Sequence, residues 1–143
     1  MNTEWSDKDM KTAHNGVDPI AYCGLSCGHC FLKDRCKGCR TIDNICSNAM
    51  MYPDKICPNA ACCKKKNLDG CYDCEDLYNC QRGFYSSKDG NAVKALALFI
   101  HKYGKKELKK VLENLHRQYD FRKIQQIIGY DTLEGLRILE DNR

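Results

Sequence analysis

The chain has 143 residues, 12 cysteines and a formal net charge of +4, which leaves room for one domain or for two small ones sharing an interface. No stretch is long and apolar enough to span a bilayer, because the best one, residues 92–100, is interrupted by Lys94. Nor does the positive charge by itself argue for nucleic acid: a zinc ion held by four thiolates contributes −2, so two such sites bring the chain from +4 to 0 and three take it to −2.

Residues 1–19 are polar and carry Glu4, Asp7, Lys8, Asp9 and Lys11, with no apolar run and no cleavage pattern of the secretory kind. A disordered N-terminal segment and a cytoplasmic location are expected. In a reducing compartment thiols stay available for metal instead of forming disulfides.

All 12 cysteines fall between Cys23 and Cys80. Their spacing begins Cys23-x3-Cys27-x2-Cys30, continues Cys36-x2-Cys39 and Cys57-x4-Cys62, and closes Cys71-x2-Cys74-x5-Cys80. Two thiolates two residues apart across a tight turn can face one tetrahedral cation, and two such pairs complete a site. Residues 20–82 are otherwise rich in Asn, Asp, Gly and Lys with little periodicity, which predicts loops and single turns that bury little apolar surface. A structural zinc site would supply the missing stabilisation, roughly 10 kcal/mol or more. The expected fold class is therefore a small metal-stabilised, cysteine-rich domain of loops and short helices with little strand, followed by an α-helical C-terminal half. Lys64, Lys65 and Lys66 follow Cys62-Cys63 and are placed to offset thiolate charge.

After the turn-forming residues 83–90 the pattern becomes helical, and residues 90–143 are expected to form a small bundle packed on the cysteine-rich half. Val93, Leu96, Ala97 and Ile100 recur at helical spacing, with a stop at Tyr103-Gly104. Leu108, Val111, Leu112 and Leu115 repeat it in a second helix, whose other face carries Lys105, Lys106, Lys109 and Lys110. A third helix holds Phe121, Ile124, Ile127 and Ile128 and stops at Gly129. A fourth starts at Asp131 or Thr132, with Glu134 placed for a capping box and Leu133, Leu136 and Leu139 or Ile138 inside.

Two catalytic signatures overlap in the first cysteines. Cys27-Gly28-His29-Cys30 reads as the disulfide-isomerase tetrapeptide, but that chemistry needs a preceding strand and a βαβ pattern, and here Gly24-Leu25-Ser26 precede it. Cys23-x3-Cys27-x2-Cys30 has the spacing of radical S-adenosylmethionine enzymes. Those wrap a partial barrel around their cluster, and this chain is too short and too helical for one.

The segment Ala21-Tyr22-Cys23-Gly24-Leu25-Ser26-Cys27-Gly28-His29-Cys30, followed by Cys36-Lys37-Gly38-Cys39, Cys57-x4-Cys62 and Cys71-Tyr72-Asp73-Cys74 with Cys80, resembles the bacterial and archaeal cysteine-rich family known as domain of unknown function 3795. The resemblance covers about residues 20–80 and implies a small intracellular metal-binding domain with no established activity. The family's Phe-Pro before the last cysteine is Tyr78-Asn79 here, and Cys46 and Cys63 are additional to its pattern.

Cross-braced and sequential arrangements can use the same cysteines, so spacing does not fix the pairing. Eight are read as two tetrahedral sites: Cys27, Cys30, Cys36, Cys39, Cys57, Cys62, Cys71 and Cys74. Cys23 and Cys80 come next, replacing a member of either site or building a third with Cys46 and Cys63. The expected cofactor is zinc, two or three ions; a 4Fe–4S cluster is the alternative, since thiolate-only ligation suits both. His29 reads as a turn residue near the metal, and His14, His101 and His116 as surface or core positions.

No Ser/His/Asp set, catalytic carboxylate pair or phosphate-cradling loop is present, so the reading leans away from an enzyme. Tyr72-Asp73, Glu75-Asp76 and Tyr78 are candidates to line a pocket, although polar loop composition explains them equally well. Closed four-thiolate sites shape a surface and do no chemistry, which points to an interaction or accessory module with a protein partner. The alternatives are an iron–sulfur protein for electron transfer or redox sensing, and a thiol-rich carrier of soft metals. Nucleic-acid binding through Lys64–Lys66 and the Lys105–Lys110 face would need interleaved aromatics or a recognised module, and neither is found.

Overall fold

Five α-helices occur among the described residues, which in this computed structural model are 20–24, 52–54, 56–86 and 90–143. They are α1 (Pro58–Lys66), α2 (Gly90–Tyr103), α3 (Lys105–His116), α4 (Phe121–Ile128) and α5 (Thr132–Asp141). Three 3-10 turns, Cys71–Asp73, Leu77–Asn79 and Gly83–Ser86, join α1 to α2. No β-strand runs through the described residues, so the described part of the chain is mainly α-helical with irregular connections. The expected N-terminal segment 1–19 lies outside them, as do Cys27, Cys30, Cys36, Cys39 and Cys46.

α1 is a helix where the composition predicts loops and single turns. Pro58 occupies the first turn, where its missing N–H costs no hydrogen bond, and Ala60, Ala61 and the lysines are good helix formers. Lys64, Lys65 and Lys66 fill the last turn, at the carbonyl end of the helix dipole. Asn67 closes it in the left-handed region (φ 60°), and the Leu68 N–H returns to the Cys63 carbonyl at 2.9 Å.

α2 is the centre of the molecule. The spacing of Val93, Leu96, Ala97 and Ile100 predicts one apolar stripe, and all four are buried; so are Ala92, Lys94, Ala95 and Phe99. The stripe becomes a nearly complete circumference because α2 has neighbours on two sides. α3, α4 and α5 pack on one, and the three 3-10 turns pack on the other. A single core cluster therefore joins Cys63, Cys71, Tyr72, Leu77 and Tyr85 to the apolar faces of the C-terminal helices. Gly104 (φ 91°) ends α2, with its N–H on the Ile100 carbonyl at 2.7 Å.

The C-terminal helices follow the predicted periodicity with two corrections. Leu108, Val111, Leu112 and Leu115 of α3 and Phe121, Ile124 and Ile128 of α4 are buried, but Ile127 is only half-buried. In α5 the inward positions are Gly135 and Leu139, while Leu133 is 50% exposed. The cause is a close crossing: a Cβ on Gly135 would strike the Ile128 carbonyl oxygen and lie 3.2 Å from the Ala95 Cβ. That approach fixes the rotation of α5, and residues four apart share the buried face, so Leu133 is carried to the far side. Asp131 caps α5 by accepting the Glu134 N–H at 3.0 Å, but the Glu134 carboxylate turns to Arg137 instead of completing a capping box. Asp120 caps α4 in the same way through the Lys123 N–H at 2.8 Å. Among the described residues no helix is long and apolar enough to cross a membrane.

Candidate metal centre

The described cysteines collect where α1 meets the 3-10 turns. A cleft of about 500 Å³ is lined by Cys62, Cys63, Cys71, Cys74 and Cys80, with Asn59 and Lys66 beside them. Cys57, the residue capping the N-terminus of α1, is buried, and so are Cys63 and Cys71; Cys62, Cys74 and Cys80 are half-buried. No disulfide joins the described cysteines to one another. Cys23 is buried against α2, in a segment tied to the first 3-10 turn by the Cys71 N–H donating to the Tyr22 carbonyl at 2.7 Å.

Gly24 shows why this segment can lie so close. Its φ is +101°, and a Cβ there would sit 2.8 Å from the Ala97 Cβ. The glycine of the opening motif thus seats the Cys23 loop directly on α2, which a side chain at this position would prevent.

Two sulfurs lie within contact distance. Cys63 Sγ is 3.5 Å from Cys71 Sγ. Hydrogen bonding with Cys63 draws the Cys71 thiol down from 9.0 to about 6 and outweighs the upward push of burial. Asn59, itself 1% exposed, stands between two thiols: its Nδ2 is 3.8 Å from Cys71 Sγ, and its Oδ1 is 3.8 Å from Cys57 Sγ. The same Nδ2 donates to the Arg82 carbonyl at 3.2 Å, which fixes which way the amide points. On the open side of the cleft, Lys66 Nζ lies 3.7 Å from Cys74 Sγ. Negative charge on Cys74 and Cys62 raises the Lys66 pKa.

Behind the cleft are two groups that spacing arguments overlooked. Tyr85 is buried and donates its hydroxyl to the Cys23 carbonyl at 2.6 Å. Burial first, and the nearby Cys23 and Cys71 second, push its pKa far up, so the phenol stays protonated. Lys94 is 5% exposed, yet its ammonium reaches from α2 to the carbonyl of Tyr78 at 3.3 Å and to that of Cys80. It also lies 5.3 Å from the centroid of the Tyr85 ring. Burial lowers its pKa and the Cys80 charge opposes that shift. The available signal was the lysine that breaks the apolar run of residues 92–100. Cys63, set aside by the spacing rule, is the cysteine most closely engaged with Cys71. For Asn59 the sequence carried no comparable signal.

Of the ten cysteines read as ligands, Cys23, Cys57, Cys62, Cys71, Cys74 and Cys80 fall among the described residues, and the last four line the cleft. Among the described residues, no three metal-ligating side chains converge on one point. The donor chemistry nonetheless fits a soft or borderline cation. Thiolates about 2.3 Å from a tetrahedral zinc stand about 3.8 Å apart, close to the 3.5 Å between Cys63 and Cys71, and the Asn59 amide supplies a polar partner to a thiolate. His101 takes no part in the cleft; its Nδ1 meets the Tyr72 carbonyl at 2.8 Å, and the His116 side chain is exposed. Of the pocket-lining candidates Asp76 reaches the cleft, whereas Tyr72 is turned into the core with its hydroxyl on Asp69 at 2.6 Å.

Comparison of the chain with protein-family models, with curated proteins and with solved structures finds no match in any of the three.

Proposed function

We propose that the protein binds zinc through cysteine-thiolate sites that hold its loop-rich half in shape, and that it serves as an interaction or accessory module for a protein partner. The observation that carries this reading is the buried Cys63–Cys71 contact of 3.5 Å inside a cleft lined by five cysteines. Thiols held at this separation around a polar amide are half of a tetrahedral donor set, and a site closed by four thiolates has no open position for chemistry. The likeness of the opening cysteine motif to the 3795 family accords with the same reading. A reducing, cytoplasmic setting would keep the thiols available.

The test is to purify the protein without oxygen or added metal, record its visible spectrum and measure zinc and iron by elemental analysis. The expected result is a colourless protein with two or three zinc ions per chain. A brown protein with iron and acid-labile sulfide would replace this reading with an iron–sulfur one, because the donors in the cleft suit either metal.

A further inference from the structure

We infer that the adjacent Cys62 and Cys63 belong to two different metal sites, Cys63 with Cys71 on the buried side of α1 and Cys62 with Cys74 on the open side; the inference rests on the zinc reading above. Consecutive residues of an α-helix project about 100° apart, so neighbours in sequence face different surroundings. Here the two surroundings differ in kind. Cys63 is 1% exposed and contacts Cys71, also buried at 7%. Cys62 is half-buried and stands one turn before Lys66 on the same face of α1, and Lys66 Nζ lies 3.7 Å from Cys74 Sγ.

The C-x2-C pair Cys71 and Cys74 is thereby divided. Spacing alone assigns both to one ion, yet Cys71 turns inward to Cys63 and Asn59 while Cys74 turns outward to Lys66. Each pair supplies two donors of an ion's four. The inner pair lies on the buried side of the cleft, between α1 and the first 3-10 turn, and suits a slowly exchanging structural ion. The outer pair opens to solvent beside a cationic side chain, and its ion should exchange faster.

The experiment uses the full-length protein as isolated under anaerobic conditions. A graded series of EDTA additions removes metal, iodoacetamide traps each exposed thiol, and peptide mass spectrometry reports the extent of modification at each cysteine. We expect Cys62 and Cys74 to be modified together in an early phase and Cys63 and Cys71 together in a later one, with little modification of any of the four before chelator. If Cys71 and Cys74 rise together, or if Cys63 is modified before chelator while the others are protected, the division is wrong and the zinc reading survives. If the isolated protein holds no metal and all four react at once, the zinc reading fails and takes the division with it.

Substitutions give a second readout that does not depend on protection. Cys62→Ser and Cys63→Ser should each lose one zinc, and the Cys63→Ser/Cys71→Ser double variant should lose no more than Cys63→Ser alone. The Cys62→Ser/Cys63→Ser double variant should lose two. Equal zinc content in Cys63→Ser and the unaltered protein would overturn the assignment of Cys63.

Discussion

Replacing Lys94 by Met tests whether the buried ammonium holds the cysteine-bearing turns against α2. Methionine has nearly the length and helix propensity of lysine and adapts to irregular space, so the exchange removes the charge and donors while leaving little cavity. In the native protein the ammonium serves the carbonyls of Tyr78 and Cys80 and faces the Tyr85 ring, at 5% exposure. A hydrogen bond from a charged donor contributes roughly 1.5–3 kcal/mol, and both carbonyls here are partly buried. Two carbonyls are affected, and the relief of no longer burying a charge offsets part of the loss, leaving a net destabilisation of roughly 2–4 kcal/mol. For a chain of this size about 3 °C accompanies each kcal/mol, so the melting temperature should fall by roughly 6–12 °C. Thermal unfolding followed by circular dichroism on matched protein preparations measures it. A Lys94→Met variant melting within about 2 °C of the unaltered protein, or above it, would show that these carbonyls do not depend on the lysine.

A further expectation concerns the opening motif. Gly24→Ala combines a left-handed backbone (φ +101°) with a Cβ 2.8 Å from that of Ala97 and 3.0 Å from its backbone nitrogen, and should cost about 2–3 kcal/mol by chemical denaturation; a variant as stable as the unaltered protein would contradict this close seating.

The C-terminal half was legible because its helices bury one periodic face each, and Leu108, Val111, Leu112, Leu115, Ile124 and Ile128 all lie where that period places them. Leu133 was misplaced because the rotation of α5 is set by the Gly135 crossing, and a glycine carries no weight in an apolar pattern. α1 escaped notice for a related reason: its buried residues are Asn59, Ala60 and Cys63, too polar and too few to register as a stripe. Cysteine spacing could not say which thiols meet. That depends on α1 turning Cys62 and Cys63 to different sides, and on a turn sending Cys71 inward and Cys74 outward. Lys94 read as an interruption of an apolar run because its partners are main-chain carbonyls, which leave no mark in the sequence.

The position of α2 ties sulfur chemistry to solubility. One flank of this helix is walled by bundle helices and the other by the turns that carry the thiols. Any event that loosens the turns, whether oxidation, chelation or truncation, strips a wall from α2 and leaves an apolar strip on a bundle that is otherwise intact. Damage at the cysteines should therefore surface first as self-association and as recognition by chaperones, while helix content still looks normal.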